Sequence, residues 1–347
     1  MFSRMLSLVA NMSRQFRFAV VLATSIGVAC GSVRAQEPKL DYFRIGTGSP
    51  AGTYFPVGEL LGGIISLPPG AAKCEPGGHC GVPGLIAVAQ DSPGSVANVA
   101  DVAGGRYDSA LVQADVVHAA FYGENLFATH GGFPDLRVIA NLYTETMHLV
   151  ARKGANIASV GDLKGKRVSV DTPQSGTHRN AFLILEAFGI ERTQISLSEV
   201  NFEQASDQLL AGKLDAFFLM TGFPASGISA LMASDTVVIV PIKGKVADTL
   251  RREHPYFLTS AIPANTYANL DEVTSLGVGA QWVVRGDQSE QRVHDIARAL
   301  WHPTARETLD AGHPRAHEIS VETALHGVSI PLHAGALRFY LEAGILE

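Results

Sequence analysis

A strand–turn–helix unit near the start of the chain, residues 44–65, most constrains the fold. It consists of a short apolar strand, a turn rich in Gly, Ser and Thr, and a helix predicted to begin near Tyr54. Gly46, Gly48 and Gly52 allow a backbone path that a Cβ would obstruct. The helix start directs unpaired N–H groups and a partial positive charge at the space above the turn. Such a turn suits a carboxylate, although many turns of this kind in α/β proteins only close a loop.

The common nucleotide-binding motifs do not account for this turn. Its glycines follow the pattern G-x-G-x-x-x-G, one residue longer than the dinucleotide fingerprint, and no acidic residue follows at about 20 positions to hold a ribose. The chain has no G-x-x-x-x-G-K-[ST] motif either. The sequence therefore predicts no cofactor.

The same unit recurs along the chain. A predicted strand ends at a Ser/Gly/Thr turn, residues 171–177, before a helix over residues 180–189, and a third polar turn at residues 221–224 follows another strand. Alternating strands and helices predict parallel α/β sheets, in which ligands bind at the carboxyl ends of strands. The pattern therefore predicts two α/β lobes with a cleft between them. Further strands are predicted at residues 84–89, 109–113, 136–140, 147–151 and 278–284.

The first 35 residues are predicted to be a signal peptide. Three arginines precede a 12-residue apolar run, residues 18–29, which is too short to cross a membrane. Small residues at Val33 and Ala35 place the cleavage after Ala35, and a lipid-modified Cys30 is the alternative. Cleavage removes four Arg and no acidic residue, so the net charge changes from −6 to −10 (−6 − 4). An acidic, exported chain disfavours binding to nucleic acid.

Two cysteines remain after this cleavage, and they flank a short loop rich in turn-forming residues. In an oxidising compartment, a Cys74–Cys80 disulfide is expected, and a reactive or metal-binding thiol pair is the alternative. Their spacing matches neither a redox motif nor a zinc motif. The 12 His residues are scattered without a zinc-binding pattern, so no metal site is expected.

Taken together, these motifs resemble those of the TAXI family of TRAP-transporter solute receptors, which are periplasmic substrate-binding proteins of tripartite importers. The resemblance covers essentially the whole mature chain. Each motif alone is weak, and the resemblance rests on the order and spacing of all of them. They are residues 52–58, 94–96, 112–116, 159–167, 175–177, 214–224 and 330–336.

The resemblance implies a type II periplasmic-binding-protein fold, with two α/β lobes joined by crossing strands. Lobe I is expected to comprise residues 36–145 and 276–347, and lobe II residues 146–275. The resemblance also implies a periplasmic protein without catalytic activity, and a monomer is expected. Such a receptor binds a small carboxylated solute, such as glutamate, glutamine or a 2-oxoacid, and delivers it to membrane subunits of an ion-gradient-driven importer.

The residues that match the family's cleft motifs are expected to bind the solute. The Ser/Gly/Thr turn at residues 175–177 is expected to hold a carboxylate, and Gln113 a second polar group, because its amide both donates and accepts. Tyr54 and Phe223 are expected to supply apolar faces. The complete expected set is Gly52, Thr53, Tyr54, Ser92, Ser95, Gln113, Ser175, Gly176, Thr177, Thr221, Gly222, Phe223 and Pro224.

The chain departs from the family pattern at two turns. Pro93 removes an N–H that a ligand could have used. His178 stands where an Arg is frequent, and Arg179 follows one residue later. Both departures leave the charge of the solute open.

Two other functions are alternatives to a TRAP receptor. A hydrolase with Ser175 as nucleophile is disfavoured, because the chain has no G-x-S-x-G motif and no convincing His/Asp pair. A binding protein of an ATP-driven importer, or a sensor, would keep the same fold with a different partner.

Overall fold

The computed structural model describes residues 40–71 and 80–347. The predicted signal peptide, Cys30 and Cys74 lie outside these ranges, so the leader and the Cys74–Cys80 bond stay predictions. Within the described ranges, no helix is long and apolar enough to span a bilayer. The same ranges contain no group of three or more His, Cys, Asp or Glu side chains placed to hold a metal ion.

The described residues form twelve strands and ten α-helices. The strands are β1 (Asp41–Gly46), β2 (Ser66–Leu67), β3 (Val82–Pro83), β4 (Leu85–Gln90), β5 (Ser109–Gln113), β6 (Leu136–Arg152), β7 (Arg167–Ser169), β8 (Ser196–Ser198), β9 (Ala216–Thr221), β10 (Val237–Val240), β11 (Leu258–Ile262) and β12 (Val273–Arg285). The helices are α1 (Tyr54–Ile65), α2 (Ser95–Ala103), α3 (Ala114–Tyr122), α4 (Gly176–Ala187), α5 (Phe202–Leu210), α6 (Ser226–Ala233), α7 (Lys245–Glu253), α8 (Glu290–Leu300), α9 (Pro303–Gly312) and α10 (Ala334–Glu342). Short 3-10 helices span Asn125–His130, Val160–Leu163, Arg192–Gln194 and Pro314–Glu318.

Ten of these strands form one mixed sheet. Its order is β4-β1-β5-β12-β6-β9-β7-β8, with β10 beside β6 and β11 beside β12. β1 pairs in parallel with β4 and β5, and β7 pairs in parallel with β8 and β9. β6 and β12 pair antiparallel along the middle of the sheet. The prediction of parallel sheets therefore holds for the outer groups and is wrong for the central strands.

The core divides into two lobes that share β6 and β12. Lobe I is built on β1, β4 and β5 with helices α1–α3 and α8–α10. Lobe II is built on β7–β10 with helices α4–α7. Because side chains alternate across a strand, Phe217 and Phe218 of β9 pack into two different hydrophobic clusters, one on each face of the sheet. Both faces are covered by helices, as expected of an α/β lobe.

The segment predicted as two strands, residues 136–140 and 147–151, is one 17-residue strand, β6. The polar residues between the two apolar runs suggested a break. In the structure β12 continues to pair across them, and Glu145 and Thr146 are buried. Pairing with a neighbouring strand therefore overrides the local change in hydropathy.

Helix α4 begins at Gly176, four residues before the predicted start at residue 180. Ser175 caps it, because its Oγ accepts a hydrogen bond from the backbone N–H of His178 at 3.1 Å. An N-cap serine satisfies one of the amides that a helix start leaves unpaired. The Ser/Gly/Thr turn is therefore itself the start of the helix.

Candidate functional site

A cavity of about 610 Å³ lies between the two lobes. Helices α1, α2 and α4 begin at its wall, at Tyr54, Ser95 and Gly176. The first amides of a helix have no intrahelical acceptor, and the dipole there favours negative charge. Of the thirteen residues expected to bind a solute, ten line this cavity: Gly52, Thr53, Tyr54, Ser92, Ser95, Gln113, Ser175, Gly176, Thr177 and Thr221.

The remaining three expected residues, Gly222, Phe223 and Pro224, lie beside the cavity and do not line it. Phe223 is buried in a core cluster of lobe II. The guanidinium of Arg315 stacks on its ring at 3.7 Å from the centroid. Solute contact by these three residues stays a prediction, and the packing gives Phe223 a role in joining the lobes.

Among the hydroxyl groups in the cavity, those of Ser95, Ser175 and Thr177 each accept a hydrogen bond from the backbone. Besides Ser175, Thr177 Oγ1 accepts from the N–H of Met220 at 2.9 Å, and Ser95 Oγ accepts from the N–H of Gln113 at 3.1 Å. A hydroxyl that accepts in this way still has its own O–H to donate. These groups therefore hold the turns in place, and the O–H groups of Ser175 and Thr177 act on the carboxylate of Asp171.

Ser92 and Thr53 are more fully engaged in bonds within the protein. Ser92 Oγ donates to the carbonyl of Thr47 at 2.8 Å and accepts from the N–H of Gly94 at 3.0 Å. Thr53 Oγ1 accepts from the N–H of Gly222 at 2.9 Å and lies 3.2 Å from the hydroxyl of Thr221. These two side chains shape the cavity by fixing its turns and its lobe contacts.

Gln113, predicted to hold a polar group of the solute, uses its carbonyl oxygen inside the protein. Asn180 of lobe II donates to Gln113 Oε1 at 2.9 Å. The same oxygen would lie 2.2 Å from a Cβ placed on Gly176. Gly at position 176 therefore allows the close approach of α4 to the end of β5.

Tyr54 and Glu145 leave polar atoms unpaired at the cavity. Tyr54 Oη and Glu145 Oε2 are buried without a hydrogen-bond partner among the described residues. The pKa of Glu145 is raised to about 8, chiefly by burial; the nearby Asp115 also raises the pKa, while Tyr54 and Gln113 lower it. Glu145 was not predicted from sequence, because it lies in the middle of a strand and follows no motif.

Asp171 is a second residue that the sequence analysis missed. It lies two residues after the end of β7, lines the cavity and adopts a left-handed backbone conformation, with φ of 68°. Burial raises its pKa to about 6, although the backbone N–H of Thr172 and the hydroxyls of Ser175 and Thr177 favour the charged form. Its position at the end of a parallel strand was the available signal.

His178 and Arg179 point away from the cavity lining. His178 Nε2 lies 2.8 Å from Glu199 Oε1. Arg179 forms an ion pair with the fully buried Asp115 of α3, and its Nη2 donates to Tyr256 Oη at 3.1 Å. Arg179 therefore joins the two lobes, and it is not a lining residue.

The lobes contact each other on several sides of the cavity. The N–H of Ala97 donates to the carbonyl of Gln174 at 3.0 Å, and the N–H of Gly227 donates to the carbonyl of Ala51 at 3.0 Å. At the rim, Ser49 Oγ donates to Glu203 Oε1. Together with the Thr53, Gln113 and Arg179 contacts, these bonds define a closed arrangement of the lobes.

The fold is similar to that of several solved proteins. A protein from Bordetella bronchiseptica RB50 is 16% identical, with a TM-score of 0.51 over 88% of this chain and 83% of that chain. The periplasmic binding protein BugD is 12% identical, with a TM-score of 0.52 over 88% of this chain and 98% of that chain. The periplasmic aliphatic sulphonate binding protein SsuA from Escherichia coli is 14% identical, with a TM-score of 0.43 over 88% and 84% of the two chains.

The likenesses to the Bordetella bronchiseptica protein and to BugD, both with TM-scores above 0.5, confirm the predicted two-lobe α/β fold. At such low identities they show the fold alone and leave the solute open. A protein-family comparison goes further, because the profile of the NMT1-like family matches residues 45–344. That match covers most of the sequence, and the chain therefore belongs to the NMT1-like family.

Proposed function

We propose that this chain is a periplasmic receptor that binds a small carboxylated solute between its lobes and delivers it to the membrane subunits of a TRAP-type importer. The observation that carries the proposal is the cavity of about 610 Å³ at which three helices begin. Cavities of this size hold small metabolites, and helix starts bind carboxylates. The periplasmic binding protein BugD has a similar fold.

The proposed role is binding without catalysis. Ser175, the one nucleophile considered from sequence, caps α4 through its hydrogen bond with the N–H of His178. The imidazole of His178 is directed at Glu199, 2.8 Å away. A serine nucleophile needs a base within hydrogen-bond reach of its hydroxyl, and the imidazole of His178 is engaged elsewhere.

Solute binding is proposed to close the lobes. The lobe boundaries expected from the sequence, residues 36–145 with 276–347 against residues 146–275, define the two bodies that would move. Strands β6 and β12 pass between them. A solute that contacts both walls binds the closed form better than the open form and shifts the equilibrium between them.

Thermal unfolding of the mature protein from Gln36 onward, against a panel of solutes, tests the receptor function. The panel contains amino acids, dicarboxylates, 2-oxoacids, sugars and sulfonates. A solute at 100 times its dissociation constant adds about 2.7 kcal/mol to the free energy of unfolding, which is seen as a rise in melting temperature. A flat response, together with no solute released from the purified protein on denaturation, would contradict the proposal.

The importer type needs a separate test. Purified receptor, loaded with its solute, is added to vesicles that contain the cognate membrane subunits. Uptake driven by an ion gradient without ATP supports the TRAP assignment. Uptake that requires ATP assigns the same receptor to an ATP-driven importer.

A further inference from the structure

The cavity lining carries several acidic side chains and, among its described residues, a single basic one. The acidic residues are Asp91, Asp101, Glu145, Asp171 and Glu203. The basic residue, Arg106, lies 3.6 Å from Asp101, and its side chain is 71% exposed. It therefore lies at the rim, and a solute with two carboxylates would find no cationic side chain deeper in the cavity.

Asp171 already places a carboxylate at the start of α4, where the sequence analysis placed the carboxylate of the solute. Its Oδ1 accepts from the N–H of Thr172 at 2.7 Å. It also interacts with the hydroxyls of Ser175 and Thr177. A second carboxylate at this helix start would meet Asp171 at close range and be repelled.

Glu145 is the strongest indication of what the solute carries. The residue is 2% exposed and lines the cavity, and its Oε2 has no partner in the described part of the chain. Tyr54 Oη, also unpartnered, lies close to it. Leaving buried polar atoms unpaired is costly, so a group rich in N–H donors would stabilise this part of the cavity.

We infer that the solute is a zwitterionic amino acid without a second carboxylate, whose protonated amine is bound by Glu145. A protonated amine has three N–H donors and no acceptor, which matches the unpaired carboxyl oxygen. The single carboxylate of the solute lies at the starts of α1 and α2 in lobe I, and Asp171 excludes a second one. This inference rests on the proposed receptor function and narrows its solute class.

Matched pairs of solutes test the inference on the unmodified protein. L-Leucine is compared with 4-methyl-2-oxopentanoate, L-alanine with pyruvate, and L-glutamine with L-glutamate, by calorimetric titration. The preferred amino acid is expected to bind at least about 30-fold more tightly than its oxo counterpart, because the oxoacid leaves Glu145 unpaired. Glutamate is expected to bind more weakly than glutamine.

Each outcome of these titrations has a defined meaning. If a 2-oxoacid or a dicarboxylate binds as tightly as the matched amino acid, the inference is wrong while the receptor function stands. If no member of the wider solute panel binds, the receptor function itself fails, and the inference fails with it.

Three variants separate the roles of the acidic residues. Glu145→Gln is expected to weaken the binding of the preferred amino acid at least about 30-fold. The affinity for the matching 2-oxoacid is expected not to fall. Asp171→Asn introduces a residue type that tolerates a left-handed backbone. This variant is expected to bind dicarboxylates. Asp235→Asn is the matched control, because Asp235 has a similar φ of 54° and pairs with Lys153 at the surface.

The control variant is expected to bind like the unmodified protein. Circular dichroism and melting curves establish that all three variants are folded. Unchanged amino-acid affinity in a folded Glu145→Gln protein would overturn the role assigned to Glu145.

Discussion

Two buried tyrosines at the junction of the lobes differ in one hydrogen bond. Tyr54 Oη has no partner among the described residues. Tyr143 Oη donates to Thr53 Oγ1 at 3.3 Å. The two hydroxyls therefore contribute differently to folding and to binding.

Removing each hydroxyl separates these contributions. Tyr143→Phe is expected to lower the free energy of unfolding by about 1 kcal/mol, the typical net value of one hydrogen bond. Tyr54→Phe is expected to change it by less than about 0.5 kcal/mol and to weaken solute binding. Urea unfolding measures the first effect and calorimetry the second. A Tyr54→Phe protein that is clearly destabilised and binds normally would make this hydroxyl structural.

The pKa of Glu145 gives a prediction about pH. Its pKa in the folded protein is about 8, against an ordinary value of 4.5, chiefly because the group is buried. The folded state therefore binds more protons at this group than the unfolded state between these values, so the contribution of Glu145 to stability is greatest below pH 4.5 and is lost as the pH rises to about 8.

Glu145→Gln removes this dependence. Relative to the unmodified protein, the variant is expected to gain about 2–4 kcal/mol of stability when the pH is raised from 5 to 8. Urea unfolding at both pH values measures the difference. Burial lowers the pKa of His148 to about 4. Because His148 is present in both proteins, its effect on the pH dependence of stability cancels in the comparison. A stability difference that is the same at both pH values would contradict the role of burial.

At the scale of elements, two helical glycines give opposite predictions for the same substitution. A Cβ on Gly335 of α10 would lie 2.2 Å from the carbonyl oxygen of Glu290 and 2.6 Å from the backbone N of His294, both in α8. A Cβ on Gly63 of α1 would meet nothing within 4 Å. The first glycine therefore allows helix packing, and the second is a position of high backbone entropy.

Replacing each glycine with alanine tests this packing. Gly335→Ala is expected to lower the free energy of unfolding by about 1–3 kcal/mol, because α8 and α10 must move apart. Gly63→Ala is expected to raise it by about 0.5–1 kcal/mol. Urea unfolding of both variants is the measurement. Equal effects of the two substitutions would show that α10 can shift without loss.

The sequence predicted most elements because each lobe is built from local strand–turn–helix units. Strand β5 has the predicted bounds, since an apolar run followed by polar residues marks its end. The single strand β6 and the antiparallel centre of the sheet were not predictable in this way. They depend on pairing with β12, more than 100 positions away in the chain.

In the candidate site too, some residues could be predicted from local sequence and others depend on tertiary structure. The turn residues were predicted because Gly, Ser and Thr after a strand are a local pattern. Glu145 gains its significance from burial, and both Glu145 and Asp171 gain it from a lining whose single described basic residue lies at the rim. Those properties arise only when the two lobes come together, and no spacing along the chain encodes them.

For the whole molecule, the closed arrangement predicts a change of shape on binding. The bonds between the lobes, including Ala97 to Gln174 and Asn180 to Gln113, are individually worth about 1 kcal/mol. A solute that contacts both walls is expected to add to them and to reduce the radius of gyration in solution. X-ray scattering with and without saturating solute measures this. Superimposable profiles would contradict closure on binding.

The buried carboxyl of Glu145 has a consequence for how the receptor responds to its surroundings. With a pKa of about 8, this group holds a proton at neutral pH in the empty cavity. An ammonium group bound beside it stabilises the ionised form, so each captured solute expels close to one proton. Capture of the proposed solute is then an exchange with the medium: the heat of binding depends on the buffer that takes up the proton, and the affinity falls as the pH is lowered.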